Sequence, residues 1–119
     1  MILDERLACV VEAARSRKAG QIRLLDVKNV ASFADTFAFM SGTSDRQNRA
    51  IAEAIFEALK GLGERPVSQE GDKAGAWILM DYGDLIVHIM DENTRNHYKL
   101  EELWGNGLEI EIPPDNNTR

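Results

Sequence analysis

With 119 residues, 44% hydrophobic and 29% charged, the chain has the composition of one soluble globular domain able to bury a core without staples. No apolar run approaches the length of a membrane span, Asp4 and Glu5 break any signal-like N-terminus, and the single Cys9 fits a reducing compartment. The net charge of −6 lies entirely in residues 60–119, which hold six Lys+Arg against twelve Asp+Glu, whereas residues 1–59 balance at eight and eight. That excess opposes binding to a phosphate backbone and would steer in a basic partner, although plain solubility, which needs only a modest net charge, is the simpler reading of charge alone.

In chain order, Asp4 is placed to cap a first helix whose apolar positions Leu7, Val10, Val11 and Ala14 follow helical spacing. Arg15, Arg17 and Lys18 suit its C-terminal dipole, and Gly20 sets its end after about Ala19. Gln21–Val27 reads as a strand, Asn29 breaks it, and Ala38–Met40 reads as a second strand entered from Phe33. Gly42 turns the chain into a second helix that begins with the capping box Ser44-x-x-Gln47. Ile51, Ile55, Ala58, Leu59 and Leu62 form its apolar stripe, and Gly61 and Gly63 end it. Pro66–Ser68 is predicted as a short strand, followed by a polar loop over 70–75.

Trp77–Asp81 and Leu85–Met90 flank a glycine-containing turn and read as a hairpin at the centre of the fold. The unbroken run Trp-Ile-Leu-Met predicts a first strand covered on both faces. Asp91 is placed to cap a third helical stretch bearing Tyr98, Leu100, Leu103 and Trp104, closed by Gly105 and Gly107. Leu108–Ile112 alternates like a half-exposed strand, so residues 1–112 form one domain and 113–119 a flexible tail. The expected class is α/β, a small mixed sheet with flanking helices.

The candidate chemistry is thin. There is no Gly-x-Ser-x-Gly elbow for a nucleophile, and Cys9 beside Val10 reads as a small core residue. Asp84 and His88 share strand parity but stand roughly 13 Å apart along a strand, too far to share one metal ion. Asp81 and Asp84 alone make at best a weak magnesium or calcium site, and two histidines with one cysteine exclude structural zinc. Ser41-Gly42-Thr43-Ser44 joins a strand to a capped helix, as in the Gly-Ser turn of nucleotidyltransferases. The next strand, however, carries no Asp-x-Asp or Asp-x-Glu pair. A nucleotidyltransferase-like nucleotide-binding enzyme is therefore the alternative reading, and no catalytic residue, cofactor or metal is assigned.

All Trp and Tyr residues, Trp77, Tyr82, Tyr98 and Trp104, fall between 77 and 104, interleaved with Asp81, Asp84, Glu101 and Glu102. Aromatic anchors ringed by charge are the composition of a docking surface, and equally of a core under the hairpin. His88, between Val87 and Ile89, reads as a core or interface histidine.

Three ordered motifs, SFADTFAFMSGTSDRQNRAIAEAI (32–55), GAWILMDYGDLIVHIM (75–90) and TRNHYKLEELWG (94–105), resemble the ribosomal silencing factor, or iojap, family. The resemblance implies a nucleotidyltransferase-like topology lacking the catalytic carboxylates. It also implies a non-enzymatic, cytoplasmic repressor of translation. Such a factor docks on the large ribosomal subunit through ribosomal protein fourteen and sterically blocks the small subunit when nutrients are short. Homodimers are common in the family; DNA and membranes are not expected partners. By motif, Trp77, Asp81, Tyr82, Gly83, Asp84 and His88 match the central stretch, and Tyr98, Leu100 and Trp104 the closing one. The expected docking set is Trp77, Asp81, Tyr82, Asp84, His88, Tyr98, Leu100, Glu102 and Trp104, with Trp77 and Tyr98 as anchors and Asp81, Asp84 and Glu102 facing Lys or Arg. Met90 and His97 replace frequent phenylalanines, and Ala38-Phe39 replaces a β-branched pair, which changes packing only.

Overall fold

The computed structural model describes residues 4–71, 75–99, 102 and 107–114. Its elements run α1 (Glu5–Ser16), β1 (Gly20–Asp26), β2 (Thr36–Ser41), α2 (Asp45–Lys60), β3 (Ser68–Gly71), β4 (Trp77–Asp81), β5 (Leu85–Met90), α3 (Glu92–Tyr98) and β6 (Leu108–Ile110). The strands form one mixed sheet in the order β3-β4-β5-β2-β1-β6, in which β2 and β5 are parallel. Each of the other neighbouring pairs is antiparallel.

β2 and β5 lie at the centre because their sequences, TFAFMS and LIVHIM, can be buried on both faces, and every residue of both is buried. One face of the sheet carries α1 and α2. Leu7, Val10, Val11 and Ala14 of α1 and Ile51, Ala52, Ile55 and Leu59 of α2 close over Leu24, Ala38, Met40, Ile78, Met80, Leu85, Val87 and Ile89. The opposite face has a second, smaller core of Leu25, Val27, Ala31, Ala34, Phe37, Phe39, Ile86 and Met90, with Trp77 and Leu79 at its margin. The sheet is thus covered unequally.

α1, α2 and α3 each begin at a side-chain cap. Asp4 accepts from the Leu7 N–H at 2.8 Å, Ser44 from Gln47 at 3.0 Å and Asp91 from Thr94 at 2.7 Å. Such caps contribute on the order of 1 kcal/mol each. At α2 the Ser44 half of the expected capping box forms, while the return bond from the Gln47 side chain reaches one residue earlier than the cap. Gln47 Oε1 accepts from the Thr43 N–H at 2.6 Å and the Thr43 hydroxyl at 2.8 Å, while its Nε2 donates to the Arg17 and Lys18 carbonyls. One amide side chain therefore opens α2 and closes α1.

The hairpin matches the sequence reading, but β4 is buried only at Ile78 and Met80, while Trp77, Leu79 and Asp81 remain half-exposed. The expected double coverage belongs to β5, because the edge strand β3 beyond β4 is only four residues long and carries no large apolar side chain. α1 stops at Ser16 rather than Ala19, because Lys18 already takes the left-handed conformation, φ 64°, and reverses the chain. β2 starts at Thr36, since residues 27–35 close on themselves through a Val27 N–H to Asp35 carbonyl bond of 2.8 Å. β3 falls at Ser68–Gly71 rather than Pro66–Ser68, as proline has no N–H for a ladder and pairing to β4 starts beyond it. α3 ends at Tyr98, where Lys99 turns left-handed with φ 50°. The expected continuation through Leu100, Leu103 and Trp104 lies outside the described residues, as does most of the tail, and the last strand covers Leu108–Ile110 rather than running to Ile112.

Candidate docking face of the sheet

Strand pairing sets the residues of the second face in rows. Glu70 of β3 stands opposite Leu79 of β4, Leu79 opposite His88 of β5, His88 opposite Phe39 of β2, and Phe39 opposite Arg23 of β1. Residues directly opposite one another share a face, so this row crosses five strands. A neighbouring row runs Ser68, Asp81, Ile86, Phe37 and Leu25. Exposure changes along both rows: Glu70 is exposed, Leu79 and Asp81 are half-buried, and Ile86, His88, Phe37 and Phe39 are buried. At the far end Arg23 is half-exposed and pairs with exposed Glu109 at 2.7 Å, so the face is open at both sides; on the β3–β4 side Trp77 and Leu79 supply apolar surface and Glu70 and Asp81 supply charge.

His88 holds this face rigid. Its ring stacks on Phe39 at 5.0 Å and 11°, and meets Phe37 edge-on at 5.6 Å. Trp77 Nε1–H donates to His88 Nδ1 at 3.3 Å, so a neutral ring carries its proton on Nε2. Burial pushes the imidazole down to about 4, which keeps it neutral at physiological pH. Trp77 is thus fixed by a polar bond at one atom while its ring stays half-exposed, which lowers the entropy cost of any contact that the ring would make.

The hairpin bend does something other than the sequence expected of it. Asp81 Oδ1 accepts from the Gly83 N–H at 2.7 Å, and Gly83 takes φ 89°, a conformation that favours glycine. Asp84 is held in a fork by Arg6, with Nη1 and Nη2 donating to its two oxygens at 2.9 and 2.8 Å. Arg6 also donates to Glu64 at 3.1 Å, so one guanidinium joins α1, the segment after α2 and the hairpin turn. That pairing lowers the Asp84 pKa and raises that of Arg6. The Asp84 carbonyl in turn accepts from the Asp35 and Thr36 N–H groups at 2.7 and 3.0 Å. Asp84 is therefore a junction of the fold as well as an exposed carboxylate.

Of the other residues expected here, Tyr82 lies in the helix-side core at 8% exposure, its hydroxyl buried without a hydrogen-bond partner. Burial, and secondly the Glu64 charge, push that hydroxyl up to about 12. Glu102 is exposed and its N–H donates to the Lys99 carbonyl at 3.0 Å. Tyr98 closes α3, while its side chain and all of Leu100 and Trp104 lie outside the described residues. The structure brings Trp77, Asp81 and His88 onto one face and sets Tyr82 on the other. Leu79 and Glu70 were missed by sequence reasoning. Leu79 has the strand parity of Trp77 and Asp81, a usable signal; Glu70 becomes visible only once β3 is paired with β4.

The Ser41–Ser44 turn is occupied by its own neighbours. Thr43 N–H is taken by Gln47, and Ser41 Oγ accepts from buried Arg95 at 2.9 Å. Asn48, fully buried, donates through Nδ2 to the Gly75 carbonyl at 2.8 Å. Its Oδ1 faces Gly42 so closely that a Cβ there would stand 2.4 Å away. Among the described residues, no three His, Cys, Asp or Glu side chains converge as a metal site.

The chain matches the family model described as ribosomal silencing factor during starvation over residues 3–119. It is 33% identical over 109 residues to the ribosomal silencing factor of Halalkalibacterium halodurans, covering 92% of this chain and 93% of that one. It is 35% identical to the chloroplastic protein Iojap of Zea mays over 89% of this chain, though only 46% of the plant protein. A crystal structure of a protein from Chromobacterium violaceum superposes with a TM-score of 0.82 at 31% identity, covering 99% of this chain and 95% of the other. By sequence over nearly its whole length, and by fold, the chain belongs to the ribosomal silencing factor family.

Proposed function

We propose that the chain is a cytoplasmic, non-enzymatic repressor of translation. It binds the large ribosomal subunit through ribosomal protein fourteen and blocks joining of the small subunit by occupying the shared surface. The observation that carries this reading is the half-exposed Trp77–Leu79 pair, rimmed by Asp81 and Glu70, on the β4 side of the sheet face away from α1 and α2. Apolar anchors provide affinity, and the carboxylates choose a cationic partner and speed its encounter. The negative excess of residues 60–119 acts in the same sense. Occlusion needs no chemical step, so the function requires shape, charge and residence time only. In this reading Asp84 and His88 set the geometry of the hairpin, Glu102 adds exposed negative charge, and any homodimer adds to the mass that blocks the joining face.

Co-sedimentation with isolated large subunits tests the reading. Trp77→Ala and Asp81→Lys are each expected to weaken binding about tenfold or more, with far-UV circular dichroism unchanged. Purified ribosomal protein fourteen is expected to compete. Native affinity in both folded variants would move the interface off this face.

A further inference from the structure

Residues 27–35 form a closed loop packed against the same sheet face as Trp77. The loop is pinned at both ends: Val27 N–H donates to the Asp35 carbonyl at 2.8 Å, and Ala31 N–H to the Val27 carbonyl at 2.8 Å. Lys28 N–H donates to Asp26 Oδ1 at 3.0 Å, and the Asp35 N–H bonds the hairpin turn through the Asp84 carbonyl. Val27, Ala31 and Ala34 are buried beneath it. A compact loop with joined ends and its own small core is an Ω-type element, a class that is frequently functional.

Against that order, Phe33 is 58% exposed at the loop surface. A phenylalanine left so open forgoes much of the stabilisation that full burial of its ring would give. Its ring touches Phe37 at 5.8 Å, Phe37 touches His88 at 5.6 Å, and His88 touches Trp77 at 6.0 Å. Two accessible aromatics are thus joined through one continuous run of rings, three short steps apart. An interface of about 800 Å² per partner spans both. Asp35, exposed two positions on from Phe33, adds a carboxylate to this end of the face as Asp81 does near Leu79, and exposed Lys28 lies at the start of the loop beside Asp26.

We infer that Phe33 is a second aromatic anchor, and that the 27–35 loop and the Trp77–Leu79 edge form one footprint for a single basic protein of the large subunit. The inference rests on the docking reading above and extends it to an element that reading does not use. Continuity of the ring run and the exposed carboxylates Asp35 and Asp81 on the same face are what assign the loop and the strand edge to one occupant.

The test uses the full chain and isolated large subunits. Phe33→Ala is expected to raise the Kd about tenfold or more, and Phe33→Leu to restore most of the affinity. In hydroxyl-radical footprinting, Phe33 of the wild-type chain is expected to be oxidised when free and protected when bound. If wild-type binding depends on Trp77 but Phe33→Ala binds as tightly as wild type and Phe33 stays oxidisable in the complex, the second anchor is refuted and the docking reading stands. If the wild-type chain does not bind large subunits, both fall. Should Phe33→Ala fail to fold, protection of Phe33 in the wild-type complex decides the matter alone.

Discussion

Protonating His88 is expected to weaken the whole sheet. The ring is 7% exposed, stacked flat on Phe39, and accepts the Trp77 N–H through Nδ1, so the folded protein has room for the neutral imidazole only. Its pKa is near 6.5 in the unfolded chain and about 4 in the folded one, lowered by burial. Between these values the unfolded chain binds the proton and the folded chain does not, so stability falls as pH drops from 6.5 towards 4. At 1.36 kcal/mol for each tenfold change in proton concentration, the loss approaches about 3 kcal/mol, a large share of the total stability of a small domain. His88→Gln removes the titration and keeps an acceptor within reach of Trp77. Urea unfolding of both proteins at several pH values from 7 to 4 is the assay. The wild type is expected to be the more stable at pH 7, with its advantage shrinking steadily below pH 6.5. Parallel curves for the two proteins, or an imidazole that titrates near 6.5 by NMR in the folded state, would refute the reasoning.

Two further perturbations probe the joints of the fold. Arg6→Ala breaks the fork to Asp84 and the bond to Glu64, and with Asp84 half-exposed a cost of about 1 kcal/mol is expected at pH 7. The pairing depresses the Asp84 pKa, so its contribution is present above the unfolded value of 3.8 and is lost as pH falls through the lower folded value; thermal melts of the two proteins at neutral and strongly acid pH are expected to differ and then converge. Gly42→Ala would place a Cβ 2.4 Å from Asn48 Oδ1 and 3.3 Å from the Asn48 backbone nitrogen, and is expected to cost about 1–3 kcal/mol by overpacking. Asn48→Ala in the same chain relieves the clash, so a double-mutant cycle by urea unfolding is expected to show non-additivity; additive losses would place the strain elsewhere.

The hairpin was legible because β-rich runs bracket a turn that only a few residue types allow, and the three caps because Asp4, Ser44 and Asp91 stand directly before helical periodicity. Which aromatics face outward was not. Trp77 and Tyr82 are five residues apart and both look like anchors, yet the bend sends Tyr82 to the helix-side core and leaves Trp77 on the open face. The role of Asp84 depends on Arg6, 78 positions earlier in the chain, and no local pattern encodes a pairing at that distance. Nor could the unbroken run Trp-Ile-Leu-Met reveal that its neighbour β3 is a short polar edge, which is what leaves Leu79 half-uncovered. The proposed site lies where local pattern and burial part company, near the edge of the sheet.

The most direct test of the central claim is light scattering of purified ribosomal subunits mixed with and without this protein. The account predicts that association falls with added chain to near completion at saturation, and that Trp77→Ala shifts the half-inhibiting concentration upward about tenfold. Full association at saturating wild-type protein would contradict it.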